Sequence, residues 1–285
     1  MDKLREKVTL RGTVDCPFAQ YFQQCVTPNV ILTKAHWHPE YEIIYAQSGE
    51  IELKADKLTY LLSPGDVAFI QPGRIHSIRG IHKNSCYHAF VFSLELLTLP
   101  QSHFFQKEIV DPIKGGTHQF PHTLRPGDTS HSFVANALDQ LILCSKSAPN
   151  RKHIVFSSVL QIFLHMAPHL QPCCDLNHHS NQTIKQALLF MTEHYSEHIS
   201  LQQISDYVHL HPNYLCALFK DYTGQTAFQH LNRIRIEKAA DLLKTQTITI
   251  SEAASRCGFE STGFFTKKFK EHMGLPPKEY SLQHR

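Results

Sequence analysis

The sequence predicts a two-domain protein of the β + all-α class, and three observations carry that prediction. Its 285 residues, 42% of them apolar, are enough to give each of two domains its own core. The first half holds short apolar runs set between turn signals, the pattern of strands. Near residue 130 the apolar period changes to that of a helix and stays so to the end, apart from one polar stretch.

In chain order, Val30–Leu32, Tyr41–Ala46, Ile51–Leu53, Val67–Ile70 and Tyr87–Phe92 are expected as strands. Ser48-Gly49, Ser63-Pro64-Gly65 and Pro72-Gly73 punctuate them, and strands this short and numerous suggest a sandwich or barrel over residues 1–128. Phe133, Ala137, Leu138, Leu141 and Ile142 then fall at helical spacing, as do Ile154, Ser158, Val159, Ile162 and Phe163. Two helices are therefore expected within 129–170, over 129–146 and 151–167, parted at Pro149 or Asn150. Residues 171–182 are polar and aperiodic and are expected as the interdomain linker. Its Cys173-Cys174 and His178-His179 are adjacent pairs, a poor fit to zinc-ligand spacing.

Composition narrows the class. The N-terminus shows no apolar segment of secretory type, and the longest apolar stretch, Ile154 to Met166, is short for a bilayer. A cytoplasmic chain with reduced thiols and no membrane partner is expected, and eight Cys in this length exclude a disulfide-dense scaffold. The net charge is only +3, so basicity by itself gives no indication of nucleic acid.

Residues 183–285 contain a repeat. Phe219-Lys220 and Gly224 recur as Phe269-Lys270 and Gly274, an offset of fifty residues. Each copy is expected to be a helix, a sharp turn and a second helix. Ser200 with Gln203 and Thr249 with Glu252 are capping boxes that open the first helix of each copy. Gly258, and His209 near the corresponding place, suit a turn residue with positive φ, and Pro212 suits a helix start. Between the copies, 226–244 is expected as one helix of roughly 28 Å, with Phe228, Leu231, Ile234 and Leu242 facing inward. Such a rod could set two recognition helices about one DNA turn, ~34 Å, apart.

Asn232–Ala239, Ser251–Phe259, Phe264–Lys270 and Gly274–Tyr280 make the C-terminal hundred residues closely resemble the DNA-binding domain of the AraC/XylS family of bacterial transcription regulators. The resemblance implies double-stranded DNA, RNA polymerase and a second copy of the chain as partners. It also implies that the outer faces of the second helices read DNA. On the first copy these are Pro212, Asn213, Cys216, Ala217 and Lys220, with Tyr214, Leu215, Leu218 and Phe219 as core. On the second they are Thr262, Gly263, Thr266, Lys267 and Lys270, with Phe264, Phe265 and Phe269 as core. Cys216 and Ala217 stand where the family often has long polar side chains. Asn213 can bond adenine, Ala217 can pack on a thymine methyl, and Lys267 suits guanine. Arg233 and Arg235 on the connecting helix, with Lys220 and Lys270, are candidate phosphate contacts, or else solubilising charge.

His36-Trp37-His38, Glu42 and Gly49, followed by Gly65-Asp66, Pro72-Gly73 and His76, resemble the two motifs of a cupin barrel, the usual sensor of this family. His36, His38, Glu42 and Ala46 share strand parity and could point together into the barrel. His88 and Phe90 match positions near the ligand in sugar-sensing relatives. His36, His38, Glu42 and His76 suit either a divalent metal or hydrogen bonds to a small polar effector such as a sugar; no cofactor is required by the resemblance. In the family, helices at 129–170 commonly dimerise, here through Leu138, Leu141, Ile142, Leu160 and Phe163, and their other role is to cap the barrel.

The expected function is thus a ligand-responsive DNA-binding regulator, most simply an activator, and not an enzyme. The competing reading is a metal-dependent cupin enzyme built on His36, His38, Glu42 and His76 with an accessory helical half. A DNA-alkylation repair protein would need a cysteine cluster near the N-terminus, and Cys16 and Cys25 are isolated.

Overall fold

The computed structural model describes residues 16–173, 178–245 and 248–284. The chain divides into two compact units, 2–178 and 179–285.

In the first unit, eight strands supply most of the framework: β1 (Phe18–Gln24), β2 (Val30–His36), β3 (Tyr41–Ser48), β4 (Ile51–Ala55), β5 (Leu58–Leu62), β6 (Val67–Ile70), β7 (His76–Gly80) and β8 (Cys86–Phe92). Two-residue strands β9 (His118–Gln119), β10 (Thr123–Leu124) and β11 (Gln171–Pro172) complete it. One antiparallel sheet runs β1-β8-β3-β6-β10 and another β2-β7-β4-β5. Their facing sides share one apolar cluster, in which Ile44, Ala68, Ile70, Tyr87 and Ala89 of the first sheet meet Ile51, Leu53 and Ile78 of the second. The two sheets are thus the walls of a barrel-like core.

The first sheet is buried on its other side as well. Tyr41, Ile43, Val67, Phe69, Phe90 and Phe92 there pack with α2 (His131–Leu143) and α3 (Arg151–Met166) through Val134, Leu138, Leu141, Val159 and Phe163. Phe163 lies at the middle of an aromatic cluster, 5.2 Å from the Phe120 ring and 5.4 Å from Tyr41. This corrects the expectation for the two helices. Leu138, Leu141 and Phe163 are spent inside the protomer, covering the outer face of the first sheet, so these three cannot form a dimer interface. Ile142 and Leu160 are partly buried against the same cluster. Residues 94–114, for which the sequence suggested no element, form a short 3-10 turn, a π-helical turn at Gln106–Val110 and α1 (Asp111–Lys114).

Gln171 and Pro172 are not part of a free linker, because β11 pairs with β9. Residues 174–177 lie outside the described residues, and with them Cys174; α4 (His178–Glu193) already begins at the expected linker's end.

The second unit is all-helical: α4, α5 (Leu201–Tyr207), α6 (Pro212–Thr223), α7 (Ala227–Thr245), α8 (Ile250–Arg256), α9 (Thr262–Met273) and α10 (Pro277–His284). Both capping boxes form, Ser200 with Gln203 and Thr249 with Glu252. His209 has φ 55° and Gly258 φ 79°, so both turns use the left-handed region. Gly224 and Gly274 close α6 and α9 with the same left-handed cap, fifty residues apart. Leu231 and Ile234 of α7 are buried, and its C-terminal half, from Ile236 to Leu243, joins a core with Ala254, Phe265, Phe269 and Tyr280. Phe228, expected inside, is 45% exposed because it sits at the first turn of α7, ahead of the packed stripe. Among the described residues, no helix is long and apolar enough to cross a membrane.

Candidate functional site

Strand pairing assembles the histidine cluster. His36 at the end of β2 lies opposite His76 at the start of β7, and Glu42 enters from β3 on the face shared by Ile44 and Ala46. One ligand atom from each of His36, His38, Glu42 and His76 lies within 4.8 Å of the others. Oε2 of Glu42 is 2.7 Å from Nε2 of His38 and 3.0 Å from Nε2 of His76. The opposite nitrogen of each ring is tied to the backbone: Nδ1 of His36, His38 and His76 donates to the carbonyls of Lys34, Glu40 and Arg74 at 2.9, 3.1 and 2.9 Å. Burial pushes the Glu42 carboxyl up, but His76 and His38 beside it outweigh burial and hold it well below the carboxylate range. Burial, then the neighbouring His76, hold the His36 imidazole well below its ordinary value. The four residues fit a divalent metal by donor type, and they fit an organic ligand equally as hydrogen-bonding groups.

Two other expected pocket residues lie elsewhere. Across the ladder Phe90 faces Ile43 and His88 faces Tyr45, whereas Glu42, Ile44 and Ala46 are opposite Val91, Ala89 and Tyr87. Directly opposed residues share a face, so His88 and Phe90 point to the helix side of the sheet, away from the cluster. Phe90 is core there, and Nε2 of His88 lies 3.1 Å from Oε1 of Gln47. Ala46 does face the barrel interior, fully buried.

A cavity of about 150 Å³ that sequence reasoning missed lies in the same unit, lined by Asp56, Leu58, Phe69, Gln71, Arg74 and His122 among others. None of His36, His38, Glu42 and His76 lines it, although its lining residue Ala55 is the register partner of His76. Arg74 bonds Asp56 at 2.7 Å and donates to Sγ of Cys173 at 3.2 Å. Asp56, at φ 51°, also accepts from the Ile75 amide. The approach of Asp56, in the β4–β5 turn, to Gln71 and His122 is set by distant chain, which local sequence patterns do not show.

In the second unit the outer faces of α6 and α9 are open. Asn213, Cys216, Ala217 and Lys220 are exposed on α6, and Thr262, Gly263, Lys267 and Lys270 on α9, with Pro212 and Thr266 partly covered. The Thr266 hydroxyl is turned back to the Thr262 carbonyl at 2.8 Å. Two aromatic residues join these faces contrary to expectation. Tyr214 is 54% and Phe264 46% exposed, at the same position of the two copies. Each copy buries a narrower stripe than expected, Leu215, Leu218 and Phe219 in one and Phe265 and Phe269 in the other. An aromatic recurring at offset fifty was the signal available for this pair.

The connecting-helix arginines are a second correction. Arg235 is buried, and its guanidinium donates to the carbonyls of Tyr195 and Glu197, both at 2.7 Å. It is bound to the chain following α4 and buried there, away from the open faces that would meet phosphate. Arg233 is 12% exposed and bonds Glu237 at 3.3 Å, one helical turn on.

The segments that carry these residues are similar to known proteins. A family model described as an AraC-like ligand binding domain matches residues 28–152, and one described as a helix-turn-helix domain matches residues 204–283. The chain is 23% identical over 294 positions to YdeC, an uncharacterized HTH-type transcriptional regulator of Bacillus subtilis (strain 168), covering 98% of this chain and 97% of that one. YisR, another such regulator of the same organism, is 22% identical over 249 positions, with 84% and 85% covered. The crystal structure of ToxT from Vibrio cholerae O395 aligns with 94% of this chain and 98% of its own at a TM-score of 0.44 and 14% identity.

Proposed function

Because the chain belongs to the AraC/XylS family of helix-turn-helix transcriptional regulators, we propose that α6 and α9 read successive major grooves of its operator while the barrel senses a small polar molecule. The observation that carries the DNA reading is the repeat itself: two capped helix pairs, fifty residues apart, each leave the outer face of their second helix open. Asn213 and Ala217 on one face, and Lys267 on the other, are the candidate base contacts; Lys220 and Lys270 lie where phosphates would pass. Tyr214 and Phe264 add apolar surface suited to thymine methyls and sugars.

For the effector, the cluster at His36, His38, Glu42 and His76 and the cavity lined by Asp56, Gln71, Arg74 and His122 are two groups of polar side chains that the unit offers. That favours a small, oxygen-rich molecule such as a sugar over a large apolar one. The effector acts only as far as its affinity differs between DNA-competent and incompetent states. Activation through RNA polymerase, and a cytoplasmic site of action, follow the family's habit. A homodimer would use the apolar residues that α2 and α3 leave outside, Phe133, Phe156 and Leu164.

The test is selection of bound fragments from random double-stranded DNA by the full chain, followed by anisotropy titrations. A recurrent bipartite sequence is expected, with binding that weakens steeply as salt rises. A folded chain that binds no duplex at low salt, or binds all sequences alike, would sink the proposal.

A further inference from the structure

We propose that the cavity between the β4–β5 turn and the end of β6 is a ligand site for a small monocarboxylate, whose carboxyl group meets Gln71 and Arg74. This deepens the sensor reading, on which it rests for what the ligand is used for. It gives the effector a place outside the histidine cluster and a chemical class.

The cavity lies at a seam of the unit. β5 ends the second sheet and β10 ends the first. The lining comes from beside both edges: the β4–β5 turn on one side, and the end of β6 with the segment between β9 and β10 on the other. The volume of about 150 Å³ sets the ligand's size. An apolar cavity of roughly that volume holds benzene, so a chain or ring of about six heavy atoms fits and a nucleotide or long acyl chain does not.

The polar side of the cavity offers donors. Gln71 is 8% exposed, and its Nε2 finds no hydrogen-bond partner among the described residues. A buried amide N–H without an acceptor is costly, and an acceptor held in the cavity removes that cost. Nη2 of Arg74 donates to Sγ of Cys173 at 3.2 Å, and sulfur is a weak acceptor that a carboxylate oxygen surpasses. The stronger acceptors nearby are already engaged. Oδ2 of Asp56 accepts from Arg74 at 2.7 Å and Oδ1 from the Ile75 amide at 3.1 Å, while Oε1 of Gln119 accepts from the Cys173 thiol at 3.6 Å.

Charge makes the missing acceptor an anion. Burial, then Arg74, keep His122 uncharged at neutral pH. Among the lining residues Lys57 and Arg74 then stand against Asp56 alone, a surplus of one positive charge that a single carboxylate cancels. A phosphate, at about −1.5 to −2, would exceed it. Leu58 and Phe69 on the remaining wall suit a short apolar body, which favours an organic acid over an inorganic anion.

The probes are propionate, butyrate and benzoate, each set against its amide, which has nearly the same shape and no charge. Full-length chain is titrated calorimetrically at fixed ionic strength, and its melting temperature is followed. Saturable binding of a carboxylate is expected at about one per chain, about 10-fold or more tighter than its amide, with a higher melting temperature. Gln71→Leu should weaken that binding about 10-fold or more, because it removes the donor and keeps the volume. Lys57→Gln, at an exposed position, repeats the test through charge alone and should weaken binding about 2–5-fold. Failure of every carboxylate to bind saturably, an amide bound as tightly, or binding that Gln71→Leu leaves unchanged overturns the proposal. DNA binding on the same samples separates the two readings. A chain that selects its operator and ignores every carboxylate keeps the regulator reading and loses this site; one that binds carboxylate and no duplex does the reverse.

Discussion

Arg235 and Lys267 show how differently two cations of one domain are employed. Arg235 bonds two backbone carbonyls from the segment after α4, and its removal strands both acceptors in a buried place. Arg235→Ala is expected to destabilise the second unit by roughly 2–3 kcal/mol, read as a lower denaturation midpoint. Arg235→Lys should not restore it, because a single ammonium lacks the planar fork that reaches both carbonyls. Normal stability of the alanine variant with weakened DNA binding would return Arg235 to the phosphate contacts. Lys267 is exposed on α9, and Lys267→Ala should cost about 1–3 kcal/mol of operator binding and relax preference at one base pair. An equal loss on every DNA sequence would make it a phosphate contact instead. The sequence placed both residues on helices correctly, yet only Lys267 kept its expected surroundings. What engages Arg235 is a pair of carbonyls some forty residues earlier, and backbone acceptors leave no mark in a sequence.

Among the elements, the helix signals were the most legible because they are local. A capping box joins residues three apart, and a left-handed turn needs one permissive residue, so both copies could be read without tertiary knowledge. The two turns nevertheless differ in tolerance. A Cβ on Gly258 would lie 2.8 Å from the Tyr195 carbonyl oxygen and 2.9 Å from that of Ser196. Gly258→Ala should therefore cost well over the ~1 kcal/mol expected of strain at positive φ alone. His209→Gly, at φ 55°, should be close to neutral, since relief of strain offsets the added chain entropy. Thermal melting of the two variants decides it, and equal losses would show that the approach to Tyr195 and Ser196 does not matter. Strands were less legible for a reason the first sheet makes plain. All seven residues of β8 are buried, because one face meets the second sheet and the other meets α2 and α3. Alternation groups His88 with Phe90 correctly, but with apolar neighbours on both sides it cannot say which face looks into the barrel.

At the scale of the whole molecule, the sensor unit buries imidazoles on both sides of its central sheet, and this ties its stability to pH. Burial holds His88 below its ordinary value of 6.5, with Asp139 opposing, and burial followed by Arg74 holds His122 below the same value. Both groups stay neutral in the folded chain at pH values where the unfolded chain already takes up protons. Unfolding thus binds protons below about pH 6.5, and stability falls as pH drops from there through the lowered folded values. Above pH 6.5 neither group contributes a slope, because both states are then deprotonated. His88 and His122 lie outside the His36, His38, Glu42 and His76 cluster, in which His36 adds a decline of the same sign. Urea denaturation of chelator-treated chain between pH 7.5 and 5 should show the decline in the first unit's transition, and the His88→Gln, His122→Gln double variant should make it shallower, leaving the share that His36 contributes with the same sign. A decline of the same steepness in that variant would assign the acid sensitivity to groups other than these two.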